Sequence, residues 1–150
     1  MILDAILAYL HFTSIFLLFG FLTAQVLALR GPLDARGMHA VGRMDLWYFG
    51  SAMAALLTGF LRLGLGAKGA DFYLQSWPVY VKIGLVLAVG MISVYPTLAF
   101  VRWRRALDRD PAWQLPAQEQ RRIRRLVMTE VHLAALIPVF AVIMSRGLGR

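Results

Sequence analysis

Residues 2–29 read ILDAILAYLHFTSIFLLFGFLTAQVLAL, a run in which Asp4 and His11 are the only acidic or basic side chains. A hydrocarbon core of about 30 Å is crossed by roughly 20 apolar residues in a helix, so this stretch is long enough to span a bilayer. Its start, MILDAILAYLH, has neither a basic amino-terminal region nor a small-residue cleavage site, and it reads as a retained helix and not as a signal peptide. Three further apolar stretches follow, at about residues 45–63, 78–100 and 126–145. Pro78 suits the first turn of the third span. Pro96 and Pro138 fall inside the third and fourth, where neighbouring helices can support a missing hydrogen bond.

Composition agrees. Of 150 residues, 59% are hydrophobic and 16% are Asp, Glu, Lys or Arg, against roughly 25% charged in a soluble domain. The chain reads as all-α, a four-helix transmembrane bundle forming a single domain over residues 1–150 with a cytoplasmic loop at about 101–125. It has no cysteine, which excludes disulfides, thiolate metal sites, haem attachment through CxxCH and cysteine nucleophiles. A net charge of +8 would suit nucleic acid, but the basic residues lie between apolar spans, where the lipid bilayer and its anionic headgroups are the nearer partner. Nucleic acid is therefore not expected. There is no internal repeat.

Lys and Arg collect in cytoplasmic loops. The first loop holds Arg30, Arg36 and Arg43, and the third holds Arg102, Arg104, Arg105, Arg109, Arg121, Arg122, Arg124 and Arg125. The opposite side has Arg62, Lys68, Arg146 and Arg150, with Lys82 just inside the membrane. The expectation is a multi-pass protein of the bacterial inner (plasma) membrane with both termini on the non-cytoplasmic side. Tyr73, Trp77 and Tyr80 would mark one interface, and Trp47, Tyr48, Trp103 and Trp113 the other. Pro116 could start a cytoplasmic extension of the fourth helix, and the basic third loop could meet a partner protein, a nucleotide or anionic lipid. The glycines of RLGLGAKG have no preceding strand and do not read as a phosphate loop. Met38 and His39 are placed in the first loop, exposed. The seven methionines are scattered and show no clustered copper motif.

Chemistry, in such a chain, lies in polar groups within the membrane. Each ionisable side chain there costs roughly 2.5 to 3.5 kcal/mol on insertion scales, so it needs a partner, water or a task. The candidates are Asp4, His11, Asp45, Arg62, Lys82, Glu130 and His132. Asp4, His11 and Gln25 share one stripe of the first helix with Ala8, Leu18 and Leu22, which should face the interior. Asp45, Tyr48, Ala52, Ala55, Gly59 and Arg62 share a small-residue seam on the second.

Counting about 1.5 Å per residue puts His11, Arg62 and Lys82 in the outer half of the membrane. Asp45 and Glu130 fall in the inner half, and His132 slightly below the middle. His11 and His132 differ in height by roughly 12 Å, too far to sandwich one haem. Haem b held by His11, with Lys82 or nothing opposite, remains open, as does a hydrogen-bonded structural histidine. Lys82 could snorkel, or pair with Asp4 or a propionate. Glu130 could be a helix-start carboxylate paired with Arg124 or Arg125, or a proton carrier. His132, two positions on, should point elsewhere.

The segments LAYLHFTSIFLLFG, TGFLRL, WPVYVKIGLVL and RRLVMTEVHLAALIP, in this order, resemble the HemJ-type protoporphyrinogen oxidases and the wider group that includes the CopD-like proteins. In FLTAQVLALRG the Leu-Pro-Arg and following histidine of that pattern are missing, and Thr129 stands where an asparagine usually precedes the glutamate. The length is also similar to an uncharacterised family of four-helix bacterial inner-membrane proteins, which supplies a fold and no activity. The HemJ-type resemblance implies a haem-dependent membrane oxidoreductase with Glu130 and Lys82 as catalytic residues. It would give His11 and Lys82 as cofactor-binding residues, His11 as the ligand of haem iron, and a quinone or porphyrin as ligand; Arg62, in the same half of the membrane, is a further cofactor-binding candidate. The alternative is a non-catalytic bundle acting as an assembly or transport factor, in which the same residues make interhelical bonds. Gly84 and Gly90, on lipid-facing surfaces, could support a homodimer.

Overall fold

A computed structural model describes residues 2–65 and 74–147. Tyr73, Lys68, Arg150 and the later glycines of RLGLGAKG lie outside the described residues. Four helices follow in order: α1 (Ile2–Ala28), α2 (Ala35–Leu65), α3 (Trp77–Arg109) and α4 (Ala117–Ser145). Among the described residues there is no strand, and the fold is an all-α bundle. Each helix is long and apolar enough to cross a membrane. The pairs α1/α2 and α3/α4 pack most extensively, and α2/α3 and α1/α4 close the ring. This is the arrangement that short connections produce in an antiparallel bundle.

Helix starts and stops follow local chemistry. Asp34 caps α2, its Oδ1 accepting the Gly37 N–H at 2.7 Å, which satisfies an orphan donor of the first turn. Pro78 occupies the first turn of α3, where its missing N–H costs nothing. Asp110 ends α3, its Oδ1 taking the Ala112 N–H at 3.0 Å, and Pro111 prevents continuation. Pro116 precedes α4, so the helical extension expected there is present. At 33 residues, α3 is about 50 Å long, well beyond the hydrocarbon thickness. The helices therefore run past the expected spans on the side of the first and third loops. Those loops share one face: the Gln120 side-chain amide donates to Leu29 O at 3.1 Å and also to Gly31 O.

The outside of the bundle is apolar. Phe16, Phe60 and Met91 are each at least 70% exposed, a surface that water would not tolerate and lipid does. The inside is asymmetric. The contiguous apolar core joins Leu22, Val26, Leu29, Met38, Val41, Ala99, Phe100, Trp103, Leu107, Ile123 and Val127 with Tyr48, all toward the loop face. Toward the termini, the buried polar side chains are His11, Ser14, Thr58 and Ser76.

Three sequence expectations change here. Tyr48 and Trp103 are core residues, 5% and 1% exposed, and not interface anchors, because the faces of α2 and α3 that carry them turn into the bundle. Trp103 also donates its indole N–H to Glu119 Oε1 at 2.9 Å, so its polar atom is satisfied inside. Met38 is buried because α2 begins ten residues before the expected span, turning part of the first loop into packed helix. Trp47, Trp77 and Tyr80 remain exposed, as an aromatic belt requires.

Candidate functional site

The polar interior divides into two sites at different depths. On the terminal side, the His11 ring of α1 lies against α2. Its Nδ1 is 3.0 Å from Ala55 O and 3.1 Å from Thr58 Oγ1. A carbonyl oxygen can only accept, so Nδ1 carries the proton in the first of these bonds and Nε2 keeps its lone pair. The Thr58 hydroxyl in turn donates to its own helix, at Ala54 O, 2.6 Å away. Gly59 is what lets the ring approach: a Cβ there would stand 3.2 Å from His11 Cε1.

Arg62 and Lys82 are the two cations whose fields reach His11, and they also act on each other. Arg62 lies over the Phe12 ring at 5.6 Å, and its Nε is buried without a hydrogen-bond partner among the described residues. Among the described residues neither cation has a carboxylate partner, Asp4 included. The expected neighbourhood of His11, Arg62 and Lys82 is thus present, and the suggested Asp4–Lys82 pair is not.

Nearer the loop face, all four helices contribute to the second site. Gln25 of α1 donates to Asp45 Oδ1 of α2 at 3.4 Å, and Thr97 of α3 faces the same carboxylate. The Tyr48 hydroxyl is 2.8 Å from Ser93 Oγ, and Ser93 donates to Glu130 Oε2 at 2.9 Å or to Val89 O at 2.8 Å. One hydroxyl proton serves one acceptor at a time, so Ser93 can take a hydrogen bond from Tyr48 while offering its own to Glu130. Glu130 is 1% exposed and its Oε1 is buried without a partner.

Two expectations for α4 are settled by this geometry. Glu130 is not a helix-start carboxylate paired with Arg124 or Arg125, because α4 begins at Ala117 and the carboxylate turns inward to Ser93. His132 is exposed and its Nδ1 is 2.6 Å from Met128 O, so it is separate from Glu130 and His11 alike. Along α3, Ser93 lies eleven residues beyond Lys82, about 16 Å. Glu130 therefore does not share one pocket with His11 and Lys82, although the family resemblance grouped all three.

Ser93 and Thr97 were missed in the sequence. Their i, i+4 spacing around Pro96 puts two hydroxyls on one face of an apolar span, a weak signal that becomes visible only once the carboxylates opposite are placed.

The donor set can be tested against a haem. His11 has the orientation that iron ligation asks for, one ring nitrogen fixed by a backbone carbonyl and the other left as a lone pair. Arg62 and Lys82, two cations with no carboxylate partner among the described residues, suit propionates. His132, exposed on α4 with its Nδ1 at Met128 O, lies apart from this set. Among the described residues no three His, Asp or Glu side chains gather as a ligand set for a bare metal ion.

No curated protein and no solved structure matches this chain. A family model does, described as a predicted membrane protein (DUF2214), and it covers residues 3–149. That description agrees with four apolar helices around a polar interior: the chain belongs to the DUF2214 family of membrane proteins.

Proposed function

We propose that the protein is a haem b-binding oxidoreductase of the bacterial inner membrane, resembling the HemJ-type enzymes, with both termini away from the cytoplasm. One observation carries this reading: the His11 imidazole is fixed through Nδ1 by Ala55 O, leaving Nε2 as a ligand beside Arg62 and Lys82. Bound haem would supply one-electron chemistry. The residues would do the rest. His11 ligates through Nε2, Thr58 and Ala55 O hold its tautomer, and Arg62 and Lys82 neutralise carboxylates that could not otherwise enter hydrocarbon. Glu130, Ser93 and Tyr48 form a short hydrogen-bonded chain able to hold a proton and pass it across the bundle between α4 and α2, with a quinone or porphyrin as the expected redox partner. The arginine-rich loops support the orientation.

A second reading draws on the same interior. Bonds from Gln25 to Asp45 and from Tyr48 through Ser93 to Glu130 tie all four helices together, which a non-catalytic assembly or transport factor would also need.

An absorption spectrum separates the two. Protein produced with haem supplied, purified in detergent and compared before and after dithionite reduction, should show a Soret band and reduced b-type bands. A featureless spectrum under those conditions overturns the haem reading and leaves the structural bundle.

A further inference from the structure

On the loop face, apart from both polar sites, a cavity of about 950 Å³ opens between the first loop and the start of α4. One part of its wall is cationic, with Arg30, Arg121 and Arg124, and another is apolar, with Leu107, Trp113 and Leu115. Asp34 is also in the lining, but its Oδ1 is engaged in capping α2. Arg124 Nε is buried and has no hydrogen-bond partner among the described residues, an uncompensated donor of the kind that usually has a reason. The Gln120 bridge to Leu29 O and Gly31 O holds the two walls together.

Position narrows the occupant. The cavity lies at the loop end of the bundle, next to the apolar helices, and it offers guanidinium groups beside apolar side chains. Guanidinium recognises phosphate through paired N–H groups, and basic pockets between helices on the cytoplasmic side are the usual receptacles for anionic headgroups. We infer that this cavity is a binding site for the phosphate headgroup of an anionic phospholipid, with Arg121 and Arg124 on the phosphate and the apolar wall against the glycerol and upper acyl chain. The lipid would fasten the first loop to α4 from below, adding to what Gln120 does from within.

The test is native mass spectrometry of the detergent-purified chain with phosphatidylglycerol, phosphatidylcholine or inorganic phosphate added, at physiological ionic strength. Phosphatidylglycerol should bind in preference to phosphatidylcholine. Each arginine near a lipid surface is worth about a fivefold change in affinity, so Arg121→Gln with Arg124→Gln should weaken it about 30-fold. Arg104→Gln with Arg105→Gln, exposed and outside the cavity, should leave it within about twofold, because at physiological ionic strength exposed charges away from the bound phosphate are screened. Arg124→Lys, which keeps the charge and removes the fork, covers the case in which the double variant fails to fold, and should still weaken binding. Equal losses in both double variants, or no loss with Arg124→Lys and the cavity pair, would mean diffuse charge attraction and overturn the site. Competition by inorganic phosphate at concentrations equal to the lipid would overturn the lipid assignment in favour of a soluble anion.

Discussion

Ser93→Ala and Ser51→Ala remove the same hydroxyl from similar helical surroundings, yet the structure predicts different outcomes. Ser51 Oγ donates to Trp47 O of its own helix at 2.8 Å, and that carbonyl keeps its backbone hydrogen bond when the hydroxyl goes. Ser93 Oγ joins three helices, meeting Tyr48 OH at 2.8 Å and Glu130 Oε2 at 2.9 Å. Interhelical side-chain hydrogen bonds in membrane bundles average about 0.6 kcal/mol, with a maximum of about 1.7. Two of them, with a buried carboxylate whose other oxygen already lacks a partner, give a cost of about 1–2 kcal/mol. The helix-propensity gain of Ser to Ala is common to both variants and cancels. Unfolding in mixed micelles, followed by circular dichroism against rising SDS, reads the difference directly. Ser93→Ala should be the less stable by about 1–2 kcal/mol, and a double-mutant cycle with Tyr48→Phe should show coupling of about 0.5 kcal/mol or more. Equal stabilities of the two serine variants, within about 0.3 kcal/mol, would refute the claim that Ser93 joins Tyr48 to Glu130.

Gly59→Ala should be close to neutral in the same assay, because about 1 kcal/mol of helix propensity offsets the 3.2 Å approach of the new Cβ to His11 Cε1. Gly59→Leu should destabilise by about 1–3 kcal/mol through overpacking, and neutrality there would mean that the ring does not rest on α2. Trp103→Ala should cost about 3–5 kcal/mol, since the side chain is 1% exposed and holds Glu119. Trp47→Ala, at a 63% exposed position where the ring stacks on Phe21 at 6.1 Å, should cost only about 0.5–1.5 kcal/mol; similar costs for the two tryptophans would contradict the burial assigned to each.

What could be read from the sequence, and what could not, follows from the solvent. Hydropathy located four helices because lipid requires long apolar runs whose backbone bonds are closed within the segment. The shared depth of His11, Arg62 and Lys82 was legible too, since rise per residue converts position to height. Helix length was not: residues 35–44 and 101–109 are helical yet polar, so a hydropathy boundary falls short of the true ends of α2 and α3. That shortfall misplaced Met38 and Trp103 toward the surface, whereas Tyr48, inside the expected span, was misplaced because its face of α2 turns inward while that of Trp47 turns out. It also placed Glu130 near a helix start, when thirteen residues of α4 precede it. The Tyr48–Ser93–Glu130 chain depends on how three helices are rotated toward one another, which no single helix encodes in its own periodicity.

The most direct test of the central claim compares haem binding by the wild-type protein with three single variants, His11→Ala, His39→Ala and His132→Ala, which together cover every histidine in the chain. Each purified protein would be titrated with haem in detergent and the reduced b-type band followed. The geometry predicts that His11→Ala alone abolishes the band, with His39→Ala and His132→Ala matching wild type. A band that survives in His11→Ala, or that disappears in His132→Ala instead, would contradict the assignment of His11 as the ligand.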